Sequence, residues 1–145
     1  MILALAACQK VPTGASMDRA KAQQLSDAFI ADLVANRPDL ALNKMEPELV
    51  SSLGPTQGED LIRGLFGYCG RPLQFELRHE EIGTFLYADG HKNPMRAFYY
   101  SGKTDQHEKG FCFVAVRVVP SAKGMAVVNF GPLKLISGEL PDWAH

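Results

Sequence analysis

Leu73-Gln74-Phe75-Glu76-Leu77-Arg78 decides the fold, because the spacing of apolar residues changes there from about four to two. Leu73, Phe75 and Leu77 alternate with Gln74, Glu76 and Arg78, the pattern of a strand with one buried and one wet face. Everything downstream reads as β structure. Glu81 to Ala88 and Met95 to Gly102 are predicted strands joined through Asp89-Gly90-His91-Lys92-Asn93-Pro94. Lys103 to Gly110 is a polar turn into Phe111 to Val119, and Ala122-Lys123-Gly124 turns that strand into Met125 to Phe130. The last two strands are apolar on both faces, so they belong in the middle of the sheet or under a cover.

Upstream of Leu73 the periodicity is helical. Ser16 is a plausible N-cap, and Ala20, Leu25, Ala28, Phe29 and Leu33 recur at three- and four-residue spacing through Asn36, with Lys21, Gln24, Asp27 and Asp32 on the polar face. Pro38 suits the first turn of a short second helix carrying Leu40, Ala41, Leu42 and Met45, and Glu48 to Leu53 adds a turn after Pro47. Thr56-Gln57-Gly58-Glu59 has capping-box spacing and predicts a helix with Leu61, Ile62, Leu65 and Phe66 as its stripe, ended by Gly67, Gly70 and Pro72. The order predicts an α+β fold, with N-terminal helices packed on a curved antiparallel sheet of four to six strands.

Helices first, then a long antiparallel run, resembles the NTF2-like, or cystatin-like, superfamily of cone-shaped α+β domains over residues 17 to 135. Phe29 to Leu33, Leu40-Ala41-Leu42-Asn43-Lys44-Met45, Phe111 to Val119 and Val127 to Phe130 carry the resemblance. Where such domains are enzymes, the resemblance implies an acid or base and a hydrogen-bond donor inside the cone.

Near the start, Leu5-Ala6-Ala7-Cys8 resembles the lipobox of bacterial lipoproteins, in which small residues admit a signal peptidase and the cysteine thiol receives a diacylglyceryl group. The resemblance implies lipid attachment at Cys8, a bacterial cell-envelope location facing the periplasm, and about 0.8 kcal/mol of membrane affinity per buried methylene. Residues 1–7 would be the remainder of a signal segment and 8–16, with Pro12, Thr13, Gly14 and Ser16, the lipidated cysteine and its flexible tether; residues 17–145 form one domain. Met1 to Ala7 carries no Lys or Arg, so Met1 is expected to be an internal or misassigned start, or upstream residues to be missing. With Cys8 assigned to lipid, Cys69 and Cys112 remain as a pair that an oxidising compartment would bond, the alternative being two buried free thiols.

A chain of 145 residues with 46% hydrophobic content can bury one core. Its 15 basic and 16 acidic residues are interspersed, giving a net charge of −1 and no electrostatic footprint for nucleic acid. No stretch approaches the roughly 20 apolar residues of a membrane-spanning helix. Ser101-Gly102-Lys103-Thr104 lacks the first glycine of a phosphate loop and lies in an aromatic strand. Asp89-Gly90-His91-Lys92-Asn93 departs from a calcium loop at His91, Pro94 and Tyr100, and reads as a β-turn. His79, His91, His107 and His145 have no ligand spacing and read as solvated surface histidines. Neither a catalytic nor a cofactor constellation is present in the sequence.

The residues left as candidate ligand or partner contacts are Tyr87, Arg96, Tyr99, Tyr100 and Arg117. Adjacent Tyr99 and Tyr100 must face opposite sides of a strand, so at most one can line an interior pocket. Arg117 interrupts the alternation of Phe111, Phe113, Ala115 and Val119; it either snorkels to water with its stem packed, or meets a carboxylate, ligand or partner. The double-sided hydrophobicity of 111–130 favours a non-enzymatic binding or interaction module, meeting an envelope protein or a second copy through the sheet face. An immunity or accessory role in an envelope system is one form of it. The alternative is a small-molecule binder or enzyme that uses the cone interior.

Overall fold

A computed structural model describes residues 17–106, 112–122, 124–132 and 142–144. Four helices precede four strands: α1 (Arg19–Val34), α2 (Pro38–Asn43), α3 (Pro47–Leu53), α4 (Pro55–Cys69), β1 (Pro72–Leu86), β2 (Lys92–Thr104), β3 (Cys112–Ser121) and β4 (Gly124–Pro132). A 3₁₀ turn follows at Asp142–Ala144. The strands form one open antiparallel sheet in the order β1-β2-β3-β4. The expected α+β class with helices on a four-stranded sheet is therefore present.

Local chemistry sets the helix ends. Asp18 caps α1 by accepting the Lys21 N–H at 3.1 Å, so the cap lies two residues beyond the expected Ser16, itself outside the described residues. The buried stripe of α1 is Ala22, Ser26, Phe29, Ile30 and Leu33, rotated from the expected one: Ala20 is exposed. Prolines start the next three helices at their first turns, where a missing N–H costs nothing. Pro55 thus begins α4 before Thr56, which leaves that hydroxyl inside the helix and not at its cap. The helix runs through Gly67 and stops at Cys69, where Gly70 takes φ +87°.

Two predicted strands are one. Regular pairing from Gln74 to Leu77 is interrupted between Leu77 and His79, then resumes to Leu86. The irregularity reverses the in-out phase, so that Phe75 and Leu77 pack on the helix-side core while His79 pairs with Tyr99 on the other face. A phase reversal reads as a gap between strands in sequence.

Helix α1 packs on all four strands. Phe29, Leu33, Ile62, Phe98, Val114, Val116, Val118 and Val127 fill the space between the layers. Cys69 at the end of α4 and Cys112 at the start of β3 are bonded, with 5.5 Å between their Cα atoms. The expected pair therefore staples the helical layer to a central strand. Strand β3 is central, as its two apolar faces require, whereas β4 is at an edge and is covered by the chain itself. Glu46 N–H donates to Val127 O and Val127 N–H to Lys44 O, both at 2.8 Å, so the α2–α3 connection pairs with that edge.

Candidate functional site

The five candidate residues form no single site, but Tyr99 and Arg117 come together on the face away from the helices, where Arg117 interacts with the Tyr99 hydroxyl. Tyr99 and Tyr100 face opposite sides of β2, as alternation demands, and each finds a carboxylate. Tyr99 donates to Glu81 Oε2 at 3.0 Å on the face away from the helices. There, Ala97, Tyr99, Phe113 and Ala115 form a second apolar cluster, and Trp143 lies over it, stacked on His79 with ring centroids 4.9 Å apart. His79 is therefore part of an aromatic clasp and not simply solvated. Arg117 extends along the sheet and donates from Nη1 to Asn129 Oδ1 at 2.7 Å, an amide partner on β4 in place of a carboxylate. Arg96, 8% exposed, is in register with Val118 of the helix-side core, and its Nε makes no hydrogen bond; neither does Glu80 Oε2, whose other oxygen accepts from Arg19 Nε at 2.7 Å. Cys8 lies outside the described residues.

Tyr87 stands at the β1–β2 turn. It donates to Glu46 Oε1 at 3.2 Å, accepts from Asn93 Nδ2 at 3.1 Å and stacks on His91, 3.9 Å between centroids. His91 N–H and ring Nδ1 both engage Asp89 Oδ1, at 3.0 and 2.5 Å, which holds the carboxyl of Asp89 below its ordinary range. The predicted turn is present, closed by Gly90 N–H to Tyr87 O at 3.0 Å with Gly90 at φ +91°. These residues border a depression of about 390 Å³ floored by Leu49, Phe85 and Val128. Tyr87 with Glu46 and His91 with Asp89 already satisfy one another there, and Glu48 adds a further carboxylate to the lining.

A larger groove of about 640 Å³ lies between α1 and the first half of β1. Ile30, Ala31 and Val34 form its helical wall; Leu73, Phe75 and Leu77 form the strand wall, with Tyr100 between them. Phe75 owes its position to Gly102, its cross-strand partner, since a Cβ on residue 102 would overlap the Phe75 ring. Gly102→Ala must therefore displace Phe75, at a cost of about 1–3 kcal/mol. Equilibrium urea unfolding reads that loss, and the groove-facing ring should shift in NMR spectra.

At the groove's inner wall the Tyr100 hydroxyl donates to Asp27 Oδ1 at 2.6 Å, and Ser26 Oγ lies 2.8 Å from the same phenol oxygen. With its proton given to the carboxylate, the phenol oxygen accepts from serine. Burial first, then the Asp27 carboxylate, pushes the Tyr100 hydroxyl far above the ordinary phenol range; burial also raises Tyr87 and Tyr99. Raised folded-state values favour the protonated native protein. Their stabilisation is complete below the unfolded phenol value near ~10 and is lost as pH climbs from there through the folded values. Stability should fall above about pH 10, and the phenolate absorbance of Tyr100, read as the difference between wild type and Tyr100→Phe, should appear only as the chain unfolds. Tyr100→Phe should flatten that alkaline fall.

Asp27 and Ser26 were not among the expected candidates. The sequence held the signal: Ser26 falls at i, i+4 from Ala22 and i, i+3 to Phe29, inside the buried stripe, and a buried hydroxyl requires a partner. Among the described residues no group of three or more His, Cys, Asp or Glu side chains is placed to hold a metal, and no helix is long and apolar enough to cross a membrane. Compared with known protein families, curated proteins and solved structures, the chain matches none.

Proposed function

We propose that this protein is a lipid-anchored module of the bacterial cell envelope, built on an NTF2-like domain, that binds another protein and carries out no chemistry itself. Cys8 would hold it at the periplasm-facing membrane surface, and the tether of residues 8–16 would let the domain reach its partner. The observation that carries this reading is the apolar groove between α1 and β1, beside a sheet edge that no described strand covers. The space between helices and sheet is occupied by fully buried Phe29, Phe98, Ile62 and Val116, which leaves the surface as the place to bind. Trp143 lies over the apolar cluster on the sheet face, which leaves the α1–β1 side as the place of contact. The bonded Cys69–Cys112 pair suits an exported protein.

Ala31 is exposed on α1 and lines the groove, so Ala31→Arg fills it without touching the core. The variant should fold normally, keep a lipidated Cys8 by mass spectrometry of the membrane fraction, and lose its envelope partner. Partner binding at full strength by Ala31→Arg, or an unmodified Cys8, contradicts the corresponding half of the proposal.

The Asp27–Tyr100 pair favours one second reading: a small, largely apolar ligand in the same groove, anchored by a hydrogen bond to that pair. Native mass spectrometry of protein purified from its own host separates the two. A bound small molecule lost in both Ala31→Arg and Tyr100→Phe supports the ligand, and its absence supports the module.

A further inference from the structure

We infer that the depression beside the β1–β2 turn is a site for a small organic cation, a primary amine with an apolar body, whose ammonium group lies between Glu46 and Glu48 while its carbon skeleton covers Leu49, Phe85 and Val128. This goes beyond the docking role and does not involve the α1–β1 groove.

Charge selects the sign of the ligand. Glu46, Glu48 and Asp89 line the depression with neither Lys nor Arg beside them, and its imidazole, His91, is already held by Asp89 through Nδ1 at 2.5 Å. Local structure sets the other two carboxylates. Glu46 N–H donates to Val127 O at 2.8 Å, which ties that residue to the β4 edge, and Pro47 opens α3 directly after it, so Glu48 follows in the first turn. Tyr87 engages one oxygen of Glu46 at 3.2 Å; the other oxygen and the Glu48 carboxylate take no hydrogen bond or ion pair from the described residues. Burial foremost, then the charges of Glu46 and Glu48, hold the Tyr87 hydroxyl above the ordinary phenol range, so the two carboxylates flank the same phenol.

The surroundings select what the cation carries. A bare metal ion needs a shell of oxygens, and among the described residues no group of three or more His, Cys, Asp or Glu side chains is placed to supply one. The floor is apolar instead: Val128 is 3% exposed, with Leu49 and Phe85 beside it, and Phe85 meets Tyr87 edge to face at 5.0 Å. An alkylammonium group gains from aromatic rings as well as from carboxylates, and its carbon atoms cover the floor. A volume of about 390 Å³ falls at the small end of ligand pockets, which span about 300–1,000 Å³, and suits an amine with a single ring or a short chain.

The test titrates the full chain, labelled with ¹⁵N, with phenethylammonium chloride at neutral pH. The expected result is saturable shifts at residues 46–49 and 85–91, with phenethyl alcohol and phenylpropionate, the neutral and anionic counterparts, bound at least about tenfold more weakly. Glu48→Gln should weaken the amine about threefold, as for one exposed charge pair, and leave Tm unchanged. Ala31→Arg should leave amine affinity unchanged. Equal binding of the alcohol, full affinity in Glu48→Gln, or no shift at millimolar amine refutes the site. Loss of the amine in Ala31→Arg would place it in the α1–β1 groove and overturn the assignment. Capture of an envelope protein by a photoreactive group at position 89 would make the cation a lysine of that partner and overturn the small molecule. Partner loss in Ala31→Arg does not depend on any of these results, so this inference can fall while the docking module stands.

Discussion

Cys69→Ser should cost about 4 kcal/mol of stability, because the bond it removes closes a 43-residue separation and the denatured chain regains that loop entropy. Total stabilities of single domains are about 5–15 kcal/mol, so this one change brings the protein close to unfolding. For a chain of this length the loss corresponds to a fall of about 10 °C or more in Tm. Both half-cystines are fully buried, Cys69 at the end of α4 and Cys112 at the start of β3. Cys112→Ser and reduction of the wild type should each match the single variant, and the double serine variant should cost no more than either. A double variant costing the sum of two singles would mean that packing at the two sites, and not the cross-link, supplies the stability. Calorimetry with and without reductant measures this directly.

Phe29→Ala should cost about 3–5 kcal/mol, the range for removing a fully buried aromatic side chain and leaving a cavity. Phe29 is 0% exposed and its ring lies 5.1 Å from that of Phe130, so it fixes α1 to the far strand of the sheet. The loss reaches the groove, since Ile30, Ala31 and Val34 on the same helix form its wall. Two ion pairs, the exposed Arg19–Glu80 at 2.7 Å and the partly buried Lys44–Asp32 at 2.5 Å, are too few to hold α1 in place without Phe29. Phe29→Leu should lose much less, because most of the volume remains. A urea midpoint for Phe29→Ala within the error of wild type would contradict the packing described here.

Much of this is legible in the amino-acid sequence alone. The alternation of Leu73, Phe75 and Leu77 marks a strand with its apolar side toward the helices, and Tyr99 and Tyr100 divide between faces by parity alone. Cysteine arithmetic selected the bonded pair. Reversal of phase after Leu77 hid the continuity of β1, since periodicity analysis cannot distinguish a bulge from a gap. The groove was illegible for a different reason. Its walls are 30–34 on a helix and 73–77 on a strand, and only tertiary packing brings them together. Tyr100 was identified, but its partners Ser26 and Asp27 lie 74 and 73 residues away, beyond any local pattern. Trp143 likewise covers Tyr99 and Phe113 from the other end of the chain.

Photo-cross-linking in the native envelope tests the central claim most directly. A photoreactive side chain replacing Leu73, which borders the groove and is exposed, should yield one discrete adduct with an envelope protein, and Ala31→Arg in the same chain should remove it. The same group replacing Asp89, at the smaller depression, should yield none. An adduct from position 89 with none from position 73, or an adduct at 73 that survives Ala31→Arg, would contradict docking at the α1–β1 groove.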